Sequence, residues 1–127
     1  MTRVLVVDDD VSVAKLLATL LSEEGFEAIP ITSGQRALEV ARGTKLDVIL
    51  LDLMMPVVSG SMVCEQLKAD DATKHVPVII ISGDGRVEEK ARHLGATDFI
   101  LKPFDLDDVV NRVRKCCGDM TKVPADV

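Results

Sequence analysis

The chain has 127 residues, enough for one domain that buries about two-thirds of its unfolded surface and folds without a disulfide or a metal. Hydrophobic residues at 47% and charged residues at 28% exclude intrinsic disorder. A net charge of −6 denies the chain the basic footprint of a nucleic-acid or lipid-surface binder, and three Phe with no Tyr or Trp exclude a base-stacking platform.

Short apolar runs alternate with amphipathic stretches along the chain. Val4–Val7 is the first run; it meets Asp8, Asp9 and Asp10 too soon to be a signal-peptide core. Val13, Leu16, Leu17, Leu20 and Leu21 follow helical spacing, with Asp10 as N-cap and Gly25 past the end. Phe26–Thr32 is a weaker strand, placed at a sheet edge because Pro30 cannot donate to a ladder. Ser33 caps a helix to about Arg42, stopped by Gly43. Val48–Leu51 and Val78–Ile81 are continuous apolar strands of the kind buried on both faces of a parallel sheet. Ser61–Ala69 and Arg86–Leu94 are helical, the second stopped by Gly95, and Asp98–Leu101 is the last strand. Asp105 caps a final helix with Asp107 and Asp108 in its first turn and Arg112, Arg114 and Lys115 near its end, matching the helix dipole. Residues 118–127 read as a flexible C-terminal tail after a domain of residues 1–117.

Five β-α repeats specify an α/β fold, a parallel sheet with helices on both faces. Leu53–Cys64, the longest uncharged stretch, is broken by Pro56 and Gly60 and is too short to span a membrane. Three cysteines without C-x-x-C spacing indicate neither a disulfide framework nor a zinc site and suit a reducing cytoplasm. Cys64 reads as a core residue; of Cys116 and Cys117, one is expected to face the core and the other solvent. His75 and His93 read as exposed histidines, and Met54, Met55 and Met62 as loop and core packing.

Ligands of open α/β sheets bind beyond the carboxyl ends of the strands. Asp8, Asp9 and Asp10 follow the first strand, Asp52 the third, Ser82 the fourth and Lys102 the fifth. Two carboxylates about 4 Å apart repel by roughly 4 kcal/mol at an effective dielectric near 20, so such a cluster calls for a cation. Carboxylates with room for water suit Mg²⁺, and a lysine and a hydroxyl opposite it suit a phosphoryl group. The chemistry implied is phosphoryl transfer to a carboxylate, with Asp52 as the nucleophile because its strand is central.

These residues carry a family likeness. Val4-Leu5-Val6-Val7-Asp8-Asp9, Asp52-Leu53-Met54-Met55-Pro56 with Gly60 beyond, Ile79-Ile80-Ile81-Ser82, Gly95-Ala96 and Leu101-Lys102-Pro103-Phe104 resemble the receiver domain of bacterial two-component response regulators. The resemblance covers residues 3 to about 117 and implies a flavodoxin-like five-stranded sheet in the order 2-1-3-4-5, flanked by five helices. It implies Asp52 as phosphoacceptor; Asp8, Asp9, Asp52 and the Met54 carbonyl around Mg²⁺, with Mn²⁺ as a substitute; and Ser82 and Lys102 on the phosphoryl group. It further implies a cis Lys102-Pro103 peptide and Phe99 as the aromatic switch. The implied donor is a histidine kinase or a histidine phosphotransfer protein. The implied output is a protein target or dimer partner met by the fourth helix, fifth strand and fifth helix, with no nucleic acid or membrane contacted directly. The domain would catalyse only its own phosphorylation and slow dephosphorylation.

Asp8-x-Asp10-x-Ser12 also fits the opening of haloacid-dehalogenase-type phosphatases, with Asp8 as nucleophile and Asp10 as general acid. The chain is short for that fold, and the reading leaves Asp52–Pro56 unexplained. A receiver-like binding module that is never phosphorylated is disfavoured because no acidic, hydroxyl or lysine position is missing. The ten residues after Cys117 hold no DNA-binding module, which leaves a stand-alone regulator or the receiver of a longer one.

Overall fold

A computed structural model describes residues 2–117; the expected tail, residues 118–127, lies outside the described residues. Ten elements alternate: β1 (Arg3–Val7), α1 (Val11–Glu23), β2 (Glu27–Ile31), α2 (Gly34–Gly43), β3 (Val48–Asp52), α3 (Gly60–Ala69), β4 (Val78–Ser82), α4 (Val87–Leu94), β5 (Asp98–Leu101) and α5 (Leu106–Cys116). All strand pairs are parallel, and the order is β2-β1-β3-β4-β5. The continuous apolar runs occupy the centre: every residue of β3 and β4 is buried. Pro30 lies on the edge strand β2, opposite Val6.

Alternate strand residues feed two cores. Leu5, Val7, Ile49, Leu51, Val78 and Ile80 pack with residues of α2, α3 and α4; Val4, Val6, Val48, Leu50, Ile79 and Ile81 pack with α1 and α5. The buried face of α1 is Ala14, Leu17, Ala18 and Leu21, whereas Leu16 is 49% exposed despite its place in the apolar pattern.

Asp10 caps α1, its carboxylate accepting from the N–H groups of Ser12 and Val13, and Asp105 caps α5. Three helix ends differ from expectation by one residue, the first being α4, which starts at Val87 with Arg86 as its N-cap. Gly43 is the last residue of α2 rather than the residue beyond it, because Thr44 takes the extended cap position. α3 begins at Gly60 because Ser59 is extended and its hydroxyl accepts from Met62 N–H. Cys116 and Cys117 are both half-buried against the α1/α5 core, as α5 ends over it, and Met62 is exposed rather than packed.

The close approach of α3 to β3 needs a glycine. A Cβ on Gly60 would overlap the Asp52 carbonyl oxygen and stand 2.5 Å from Leu53 Cα, and Gly60 N–H donates to Leu53 O at 3.1 Å. The backbone that carries Asp52 is therefore pinned by a position that admits no side chain. Gly60→Ala should lower stability by roughly 2–3 kcal/mol, the cost of overpacking against backbone that cannot give. Urea unfolding measures it, and a midpoint equal to the parent's contradicts this packing.

Candidate functional site

The carboxyl rim of the sheet is anchored by ladder-like bonds that run past the strand ends. Asp8 N–H donates to Ile31 O at 3.1 Å, Leu53 N–H to Ile81 O at 3.2 Å and Lys102 N–H to Ser82 O at 2.8 Å. Asp52 and Ser82 are themselves the last ladder residues of β3 and β4, in register with Ile81 and Leu101. Their side chains are thus fixed by sheet geometry rather than by loops.

Side-chain oxygens of Asp8, Asp9 and Asp52 lie within 4.8 Å of one another. Asp8 and Asp52 are only 2% and 4% exposed, so two of these carboxylates sit out of water; Asp9 is exposed and leaves the cluster open on one side. Asp8 Oδ1 accepts from Asp10 N–H at 2.9 Å, and Asp52 Oδ1 accepts from Met54 N–H at 3.0 Å. Lys102 Nζ donates to Asp8 Oδ2 at 3.1 Å and lies 3.7 Å from Asp52 Oδ2.

One ammonium cannot neutralise three carboxylates. Burial pushes the Asp52 carboxyl up to about 6; the Met54 N–H pulls it down, Asp8 pushes it up, Lys102 pulls it down and Asp9 adds a further push. Burial works to lower the Lys102 ammonium, but the Asp8 hydrogen bond and the charges of Asp52 and Asp8 prevail and hold it above its usual value. Hard oxygen donors, clustered, under-neutralised and open on the Asp9 side, fit a hard divalent cation that keeps part of its water.

The remaining expected residues lie on the rim and on β5. Ser82 is fully buried, and its Oγ accepts from Asp84 N–H at 3.1 Å. The Met54 side chain is 65% exposed at the rim. The Lys102-Pro103 peptide is cis. Phe99 lies half-buried on β5, against the core beneath α4. Its neighbour Arg112, which the sequence marks only as a cation near a helix end, holds its guanidinium 5.7 Å over the ring while pairing with Asp98 at 2.7 Å and Asp108 at 3.0 Å. Aromatic and arginine are thirteen residues apart on different elements, so no local pattern joins them. His75 and His93 are exposed and stand apart from the cluster. Asp10 is exposed, and its Oδ1 is engaged in capping α1.

The raised Asp52 value has a consequence for stability. The folded state holds this proton more tightly than the unfolded chain, so the associated stability is fully present below about pH 4 and is lost as pH rises through about 6. In EDTA, Asp52→Asn should therefore be more stable than the parent above pH 6, by on the order of 1–3 kcal/mol. The difference should shrink toward pH 4. Denaturant melts across pH test this, and equal stabilities at neutral pH overturn it.

The sequence matches the response regulator receiver domain family over residues 4–114. It is 41% identical over 116 residues to the sensory transduction protein RegX3 of Mycobacterium tuberculosis, which covers 90% of this chain and 50% of that one. It is 40% identical over 114 residues to the DNA-binding response regulator MtrA of Mycobacterium leprae, covering 88% and 49%. Among solved structures, the response regulator TrrA of Thermotoga maritima in complex with Mg²⁺ and BeF is similar, with a TM-score of 0.83 at 28% identity over 91% of this chain and 99% of that one. The chain spans about half the length of the curated relatives it matches.

Proposed function

This chain belongs to the family of response regulator receiver domains, the phosphoacceptor domains of two-component signalling, and we propose that it accepts a phosphoryl group on Asp52 from a phosphohistidine donor with Mg²⁺ as its metal. The observation that carries the proposal is the pocket in which Asp8, Asp9 and Asp52 converge, with Lys102 the one cation paired with them among the described residues.

Asp52 supplies the nucleophile. Its Oδ1 is held by Met54 N–H and its Oδ2 faces Lys102, so the carboxylate is oriented before the donor arrives. Attack of a carboxylate oxygen on phosphorus breaks the P–N bond, and the electron pair returns to the donor imidazole. The phosphoryl group adds acceptor oxygens and negative charge, which Lys102 and the Ser82 hydroxyl receive. Asp8, Asp9, Asp52 and the Met54 carbonyl would hold Mg²⁺, which when bound neutralises the pocket and the incoming phosphoryl oxygens.

The readout proposed is a two-state change. Ser82 moves toward the phosphoryl group and Phe99 turns inward, leaving its contact with Arg112, so the face of α4, β5 and α5 changes for a protein target or a second copy of the domain. DNA binding is named for the relative MtrA, which is about twice as long; the acidic balance of these 127 residues supports protein contacts for this part of the chain. No helix among the described residues is long and apolar enough to cross a membrane, which accords with a cytoplasmic phosphorelay.

Acetyl phosphate with Mg²⁺ should add one phosphoryl group, read by intact mass. EDTA and Asp52→Asn should each abolish the addition, whereas Asp10→Asn, which keeps a capping oxygen on α1, should retain it. Labelling that persists in Asp52→Asn, or that ignores EDTA, overturns the proposal.

A further inference from the structure

The loop between β4 and α4 is built around one residue that the phosphotransfer chemistry does not use. Asp84 makes four contacts that fix Gly83–Arg86. Its N–H donates to Ser82 Oγ at 3.1 Å. Its Oδ1 accepts from Arg86 N–H at 2.8 Å, an Asx turn, and its carbonyl accepts from Val87 N–H at 3.0 Å. Its Oδ2 accepts from Lys90 Nζ at 2.6 Å. α4 has no side-chain cap of its own at Arg86, so Asp84 organises the start of that helix. The Lys90 hydrogen bond, ahead of the Arg86 N–H, holds its carboxyl below the usual carboxylate range.

Asp84 thus grips the buried Ser82 hydroxyl with its main chain and the second turn of α4 with its carboxylate. A hydroxyl has one proton to donate and limited acceptor capacity. When Ser82 Oγ shifts to meet a phosphoryl group on Asp52, Asp84 N–H either follows it or loses its acceptor. If it follows, the carboxylate drags on Lys90 and α4 moves; if it does not, a partly buried N–H is left unpaired. In the first case the Asp84–Lys90 pair must yield; in the second the pair, by holding Asp84 in place, makes the shift of Ser82 cost that N–H its acceptor. The side chains are 25% and 36% exposed, so the pair is neither fully screened nor deeply buried. Arg86 is a poor replacement for Lys90: its Nε stands 3.8 Å from Asp84 Oδ1, and its side chain is 73% exposed.

We propose that the Asp84–Lys90 ion pair is a latch that holds α4 and Ser82 in the unphosphorylated arrangement, and that it opposes phosphoryl occupancy of Asp52. Asp84 and Lys90 act as positioning residues through Ser82. The proposal rests on the function assigned above, since it needs a phosphoryl group at Asp52. By linkage, whatever weakens the resting state tightens binding of a ligand that selects the other state.

The test is the affinity of the parent, Lys90→Met, Asp84→Asn and the double variant for beryllofluoride, a phosphoryl mimic, with Mg²⁺, read by fluorine NMR. Asp84→Asn keeps an oxygen for Arg86 N–H, and Lys90→Met keeps the stem, so both should fold; circular dichroism checks this. Each single variant should bind roughly two- to fivefold more tightly, the range open to a partly screened ion pair. The double variant should gain no more than Asp84→Asn alone, because the Asp84–Lys90 pair is already broken there. Parent-like affinities in both variants, with the parent binding normally, overturn the latch alone. A parent that binds no beryllofluoride overturns the assignment of the pocket and the latch with it.

Discussion

Lys102 follows β5, yet its ammonium ends 3.1 Å from a carboxylate that follows β1, three strand positions away across the rim of the sheet. Strands are about 4.8 Å apart, so the stem of Lys102 and the Asp8 side chain must approach each other along the rim from opposite sides. The contact joins the carboxyl ends of β1 and the edge strand β5 and stands beside Asp52, on β3 in between. Removing Lys102 would leave the buried carboxylates of Asp8 and Asp52 without the cation they share, whereas removing Asp8 would relieve part of the repulsion on Asp52. The acceptor pocket and the stability of this end of the sheet therefore rest on the same ammonium, and neither can be tuned without the other.

That dependence explains the distribution of rigidity. β1, β3 and β4 are buried almost throughout, and the carboxyl ends of β1 and β3 carry the acidic cluster. Chemistry that needs oxygens within a few ångströms of one another is placed where the ladder leaves least freedom. Gly60 adds a second restraint, since α3 is pressed against the very peptide that positions Asp52. The elements proposed to respond are shorter: β5 is an edge strand of four residues and α4 has eight.

Most of this was legible in the sequence because the informative signals are local. Val48–Leu51 reads as a buried strand from its own composition, and Asp52 reads as a rim residue from its place after it. Asp10, Ser33 and Asp105 cap the helices they precede for reasons confined to three or four residues. The strand order came from the family likeness, with Pro30 pointing independently to an edge. What escaped is long-range or depends on shape. Leu16 fits the helical stripe but faces solvent, because Ala14 and Ala18 let Leu17 and Leu21 take the core. The guanidinium of Arg112 over Phe99 and the grip of Asp84 on Lys90 depend on how α5 and α4 settle against β5 and β4, which periodicity does not encode. Val57, fully exposed at a φ of 66°, is a branched residue in a conformation that favours glycine; no run of neighbours signals it.

The two unforeseen ion-pair systems share a logic. Each ties a strand to a helix through a charge pair that is only partly screened: Ser82 to α4 through Asp84 and Lys90, and β5 to α5 through Asp98, Arg112 and the face of Phe99. Such pairs contribute little to overall stability, but they favour one local arrangement over another by an amount comparable to what a phosphoryl group can redirect. A fully buried hydrophobic contact in either place would be harder to undo, and a fully exposed one would hold nothing. The intermediate burial of Asp84, Lys90 and Arg112 is thus the physical condition that the proposed coupling of Asp52 to α4 and α5 would require.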